Sequence, residues 1–272
     1  MNDDVTVGGV FRAVQKGYDA VYDALPHSET FSQLWRTYAY GGDFPEEFAH
    51  IGFLTMSEAH RMRELLQVAQ DGVLVDLACG AGGPGLWMAR ESGASLIGID
   101  PSDAGLATAR KRADDAGLGD RARFMQGTFE QTGLDDDVAD ALMSVEALQY
   151  APDKRAALDE FFRILRPGAR VAFICFEIEP GRVVGLPVLG VDPIPDYRPL
   201  IDAAGLRVEV YEETPGWEER VYATFGAIVA NREVLTAEMG ERAASGTLAE
   251  AMLTVSTRPY LQRVLAVASR PA

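Results

Sequence analysis

Short apolar runs alternate with longer stretches of helical spacing through the middle of this chain, as expected of a parallel sheet covered by helices. Val73, Leu74, Val75 and Leu77 form the first run, suited to a strand buried on both faces. The run breaks at a cluster of glycines, after which Pro84, Leu86, Trp87 and Ala89 fit the first turns of a packed helix. Ser95–Asp100 reads as a second strand. Pro101 and Ser102 then start a helix from Asp103 to about Ala116 that stops at Gly117, with Asp103 suited to the helix dipole. Strands are expected at Arg121–Met125, Asp140–Val145, Arg170–Ile178, Leu206–Glu213 and Arg263–Ser269, with helices after Asp153 to Leu165 and over Asp196–Ala204.

The flanks follow a different pattern. Val14, Tyr18, Val21 and Leu25 fall near helical spacing, and so do Phe31, Leu34, Trp35 and Tyr38. Ser57 opens a further helix leading into the core. Residues 180–195 are rich in proline and glycine without periodicity, which predicts an irregular flap, and Trp217 to about Thr254 is helical in pattern. The expected organisation is a helical N-terminal segment (1–70), an α/β core (71–179), and a region (180–272) that completes the sheet and inserts cap helices.

The glycine turn carries the chemistry. Gly80, Gly82, Gly83 and Gly85 crowd the link between strand and helix, where absent Cβ atoms let a ligand approach the backbone and the helix start offers free N–H groups. An acidic residue, Asp76, precedes the glycines instead of the G-x-G-x-x-G spacing of dinucleotide folds. A second carboxylate, Asp100, ends the next strand, and a carboxylate can accept two hydrogen bonds from a ribose diol.

Asp76-Leu77-Ala78-Cys79-Gly80-Ala81-Gly82 resembles the first motif of class I S-adenosylmethionine (SAM) dependent methyltransferases, with Ala78 in the first glycine position. The resemblance extends through SVEALQYAPD and RILRPGAR, and the EEFAHIGF stretch is similar to a segment of sterol-type and natural-product methyltransferases. It implies a Rossmann-like, seven-stranded, mostly parallel sheet with helices on both faces and an antiparallel final strand. It also implies SAM as cofactor, bound by Asp76, Ala78, Gly80, Gly82, Asp100, Pro101, Thr128, Phe129, Ser144 and Gln149. Thr128 stands where the family commonly has an acidic residue for the adenine amino group, and Phe129 fits either the flank of the adenine or the core. Gln149 and Tyr150 replace histidines often found after the fourth strand, which leaves His50, Glu146 and Tyr150 as catalytic candidates.

Composition narrows the acceptor. The 272 residues carry 25 Lys plus Arg against 41 Asp plus Glu, a net charge of −16 that disfavours tracking a phosphate backbone. Two cysteines, Cys79 and Cys175, lack metal-ligand spacing with the three histidines, so no metal is implied. No apolar run reaches the length of a membrane span, and the first residues lack a signal-peptide pattern; a soluble, cytoplasmic protein is expected, with a homo-oligomer allowed. The aromatic flanks suit an apolar or ring-bearing small molecule, methylated at oxygen or carbon, such as a polyketide, phenol or isoprenoid. The alternative is a SAM-binding protein of the same fold that binds a ligand or promotes a rearrangement without methyl transfer.

Overall fold

The computed structural model describes residues 16–17, 19–48, 52–180, 193–257 and 261–272. Seven strands, β1 (Val73–Leu77), β2 (Ser95–Asp100), β3 (Ala122–Gln126), β4 (Ala139–Val145), β5 (Leu165–Ile178), β6 (Arg207–Glu213) and β7 (Leu261–Ser269), form one sheet. Their order is β3-β2-β1-β4-β5-β7-β6, and β7 alone runs against its neighbours. The strand order therefore reverses between β1 and β4, the place where open α/β sheets leave a crevice beyond the carboxyl ends.

Helices cover both faces. In chain order they are α1 (19–24), α2 (Glu29–Leu34), α3 (Met56–Leu66), α4 (Gly83–Ser92), α5 (Asp103–Asp115), α6 (Lys154–Ile164), α7 (Arg198–Ala203), α8 (Trp217–Ala230), α9 (Arg232–Met239) and α10 (Glu241–Thr257). Successive strand residues point to opposite faces, so Val75 and Leu142 pack with Phe161 of α6 and Ile201 of α7, whereas Leu74 and Met143 pack with Met62 of α3 and Met88 of α4. A third apolar cluster joins Phe31, Trp35 and Phe53 to Phe225 of α8 and Leu253 of α10, forming a cap beside the sheet.

The predicted element types hold, and several boundaries move. β5 begins at Leu165, five residues earlier than the apolar run suggests, because the Arg-Pro-Gly stretch continues the strand with a register shift between Ala139 and Ala141 opposite it. The long helical pattern from Trp217 breaks twice, at Asn231 and at Gly240, whose φ of +80° favours glycine. Helix α3 starts one residue before Ser57: Thr55 is its N-cap, in a reciprocal capping box with Glu58. The second aromatic cluster forms α2 and then a π-helical turn over Trp35–Tyr40. Residues 10–14, Tyr18 and 181–192, hence most of the expected flap, lie outside the described residues. No described helix is long and apolar enough to cross a membrane.

One charge ties these layers together. Arg263 of β7 is fully buried; its Nε donates to Glu146 Oε1 (2.6 Å) and its Nη1 to Glu58 Oε1 (2.8 Å) and Thr214 Oγ1 (2.8 Å). Burial alone would lower the guanidinium pKa, but Glu146 and Glu58 outweigh it and raise it. Arg220 of α8 adds a second cation to Glu58 at 2.7 Å. Replacing Arg263 by Met is expected to lower unfolding free energy by about 3–5 kcal/mol, since two buried carboxylates lose their common partner. Urea titration with the midpoint unmoved would show that the pair contributes little net stability.

Candidate functional site

The turn after β1 is built for close approach. Ala78 (φ +60°) and Gly80 (φ +50°) both lie in the left-handed region, so the alanine occupies a conformation that costs an L-residue roughly 1–2 kcal/mol. A side chain at Gly80 would meet the hydroxyl of Tyr22, which α1 places over the turn. A Cβ on Gly85 would strike the Asp76 carboxylate, so that glycine lets the helix start lie against the strand end.

Asp100, at the end of β2, accepts hydrogen bonds from Gly80 N and Ser102 N, both at 2.8 Å. Each oxygen retains a lone pair for a hydroxyl. Burial raises the carboxyl pKa, partly offset by those two N–H groups. Asp76 is buried deeper; burial and the nearby Asp100 push its pKa up to about 8. Two buried carboxylates at adjacent strand ends, with glycine backbone between them, can accept hydrogen bonds and offset a positive charge.

Beyond β4 the same edge continues. Ser144 Oγ and Gln149 Oε1 are buried and have no hydrogen-bond partner among the described residues, an arrangement that calls for a ligand. Pro101 links Asp100 to Ser102, and Gln126 Nε2 donates to its carbonyl. Thr128 Oγ1 accepts from Gln131 N, holding the turn after β3. Phe129 is buried in the sheet core and tilted against Phe161, the second of the two placements its sequence allows.

Two of the three catalytic candidates, Glu146 and Tyr150, line one cleft. His50 lies outside the described residues. Glu146 ends β4 at φ +53° and all its polar atoms are engaged: the carboxylate receives Arg263 Nε and Phe53 N (each 2.6 Å), its N–H donates to Ile174 O, and its carbonyl accepts Gln149 Nε2. Tyr150 sits in a 3₁₀ turn, Leu148–Tyr150, and its hydroxyl donates to Glu250 Oε1 of α10 at 3.0 Å.

Glu146, Gln149 and Tyr150 form the floor of a cleft with a cavity volume of about 70 Å³ that opens to solvent, whose walls are aromatic: Phe31, Trp35, Phe53, Phe176 and Phe225. Glu250 faces this cleft from α10, and Trp35 Nε1 on another wall has no partner among the described residues. Sequence reasoning missed Glu250 and Arg263. Both leave a signal: Arg263 interrupts a strand-like apolar run, and Glu250 falls among Ala243, Thr247, Ala251 and Thr254 on the buried side of a helix.

A family model described as a methyltransferase domain matches residues 75–173. The 27-O-demethylrifamycin SV methyltransferase of Amycolatopsis mediterranei is 28% identical over 220 residues, 75% of this chain and 79% of that protein. The dimethylglycine N-methyltransferase of Parasynechococcus marenigrum is 31% identical over 211 residues, 71% of this chain and 72% of its own length. Among solved structures, the cyclase SpnF superposes with a TM-score of 0.70 at 20% identity, covering 95% of each chain, a likeness of fold.

Two binding outcomes follow. Asp100→Ala is expected to weaken SAM binding by about 1.5–3 kcal/mol through loss of a charged hydrogen-bond acceptor; an unchanged calorimetric dissociation constant in a folded variant would remove Asp100 from the site. The second concerns pH. Asp76 with a pKa near 8 is mostly protonated at pH 6–7, and a cation bound beside it favours the ionised form, so binding releases a proton. Affinity for SAM should therefore rise from pH 6 to 7.5 in the parent and stay flat in Asp76→Asn; parallel profiles would contradict this.

Proposed function

The chain belongs to the class I SAM-dependent methyltransferases, enzymes that methylate small molecules, and on that premise we propose that it methylates a hydroxyl of an apolar, ring-bearing molecule held beneath the cap. The observation that carries this reading is the aromatic-walled cleft just past the end of β4, the strand that lies beside β1 in the sheet. Among its polar groups, the Gln149 side-chain carbonyl and the Trp35 indole N–H have no partner among the described residues, and with the Glu250 carboxyl they suit a mostly apolar ligand with an oxygen function.

Bound SAM supplies an electrophilic methyl on a sulfonium whose charge disappears on transfer. Asp76, the glycine turn and Asp100 would hold that group, and the apolar cap formed by α1, α2, α8, α9 and α10 would exclude water and hold the acceptor in line. Glu146, with both oxygens engaged, acts as a positioning residue that fixes Gln149 and Phe53. In a dry cleft, positioning alone supplies much of the rate.

Incubation with methyl-labelled SAM and hydroxylated ring compounds, namely naphthols, sterols and macrolactones, is expected to give labelled, solvent-extractable ethers. Label transferred to dimethylglycine in preference to all of these would overturn the acceptor class. SAM binding without transfer to any acceptor would favour the non-transferring alternative.

A further inference from the structure

Glu250 is the one carboxylate facing the cleft that no cation neutralises among the described residues. It projects from α10 onto the floor formed by Tyr150 and Gln149, and its described hydrogen bond is the 3.0 Å contact from the Tyr150 hydroxyl. Around it stand Phe225 of α8, Phe31 and Trp35 of the N-terminal segment, and Phe176 of β5. The charged groups across the floor are Glu146, at the end of β4, and its partner Arg263 of β7. Thus Glu146 is committed to structure, whereas Glu250 has the same chemistry with an oxygen to spare.

We propose that Glu250 is the catalytic base of this enzyme, taking the proton from the acceptor hydroxyl, with the Tyr150 phenol orienting its carboxylate. The proposal rests on the reading of the aromatic cleft as the acceptor site. The acceptor O–H proton passes to a Glu250 oxygen as the hydroxyl oxygen forms its bond to the methyl carbon. The carbon–sulfur bond breaks with its electron pair going to sulfur, leaving S-adenosylhomocysteine and the methyl ether; Glu250 then returns the proton to solvent. Burial raises the Glu250 pKa, the Tyr150 hydrogen bond opposes that rise, and Glu146 adds to it. A carboxylate of raised proton affinity is a stronger base than an exposed one. The sign follows: the base is competent above its pKa, so kcat/KM increases with pH through that ionisation, and loss of the phenol moves the limb upward.

Infrared titration decides the residue without any acceptor. The parent should show, beyond the bands of other buried acids such as Asp76 and Asp100, a protonated-carboxyl component lost on raising the pH above the ordinary glutamate range; the parent-minus-Glu250→Gln difference should isolate that component, and it should persist to higher pH in Tyr150→Phe. Turnover is read with 1-naphthol as acceptor. Glu250→Gln should lower kcat about 10²–10³-fold with an unchanged dissociation constant for SAM and no ascending limb, and Glu250→Asp should recover part of the rate. A parent-like kcat and pH profile in Glu250→Gln, or a carboxyl band that survives that substitution unchanged, would overturn the assignment. Failure of the parent to methylate 1-naphthol or any related ring alcohol would instead count against the acceptor class, and the infrared band would still decide whether Glu250 holds a proton in this cleft.

Discussion

Arg263 carries a positive charge with no exposed surface, and a charge in that position survives only if carboxylates and hydroxyls surround it. The surrounding groups come from far apart in the chain: Glu58 from α3, Glu146 from the end of β4, and Thr214 after β6. The antiparallel β7 strand is thereby locked to the end of β4 and to α3. The consequence is felt at β4, where Glu146 is held in a left-handed backbone conformation rarely tolerated by a side chain of that size. From that residue the chain turns to present Gln149 and Tyr150 over the crevice, and the same carboxylate draws in Phe53 of the cap.

Two strained, non-glycine positions, Ala78 and Glu146, thus lie at the carboxyl ends of adjacent strands β1 and β4. Strain of this kind persists where neighbouring contacts over-determine it, and it marks sites where backbone must face a ligand. On one side of the pair stand Asp76 and Asp100, buried acids near a glycine turn. On the other side stand the orphan Ser144 and Gln149 oxygens and the aromatic cleft. The proposed reaction would use these two halves differently, the polar, carboxylate-lined one for a charged nucleoside and the apolar one for the acceptor.

Much of this was legible in the sequence. Buried parallel strands need apolar runs and a glycine turn needs glycines, so β1, β2 and the Asp76–Asp100 pair could be placed from residue type alone. Boundaries were less legible where tertiary pairing overrode local signals, as in the Arg-Pro-Gly start of β5. The role of Glu146 was hidden because its partner Arg263 lies 117 residues away, and a glutamate at a strand end looks the same whether it is bonded or vacant. Glu250 was hidden because a lone glutamate among alanines and threonines reads as solvated until the fold shows which face of α10 lines the cleft.

In the proposed enzyme, cofactor and acceptor share one edge, with the cofactor on the β1–β2 side and the acceptor under the cap. Amide hydrogen exchange with saturating S-adenosylhomocysteine, followed by addition of a ring alcohol, tests it most directly. The first ligand should slow exchange over residues 76–86, 100–106 and 144–150, and the second should add protection in α8 and α10. Protection by S-adenosylhomocysteine confined to segments away from β1, β2 and β4 would contradict the account.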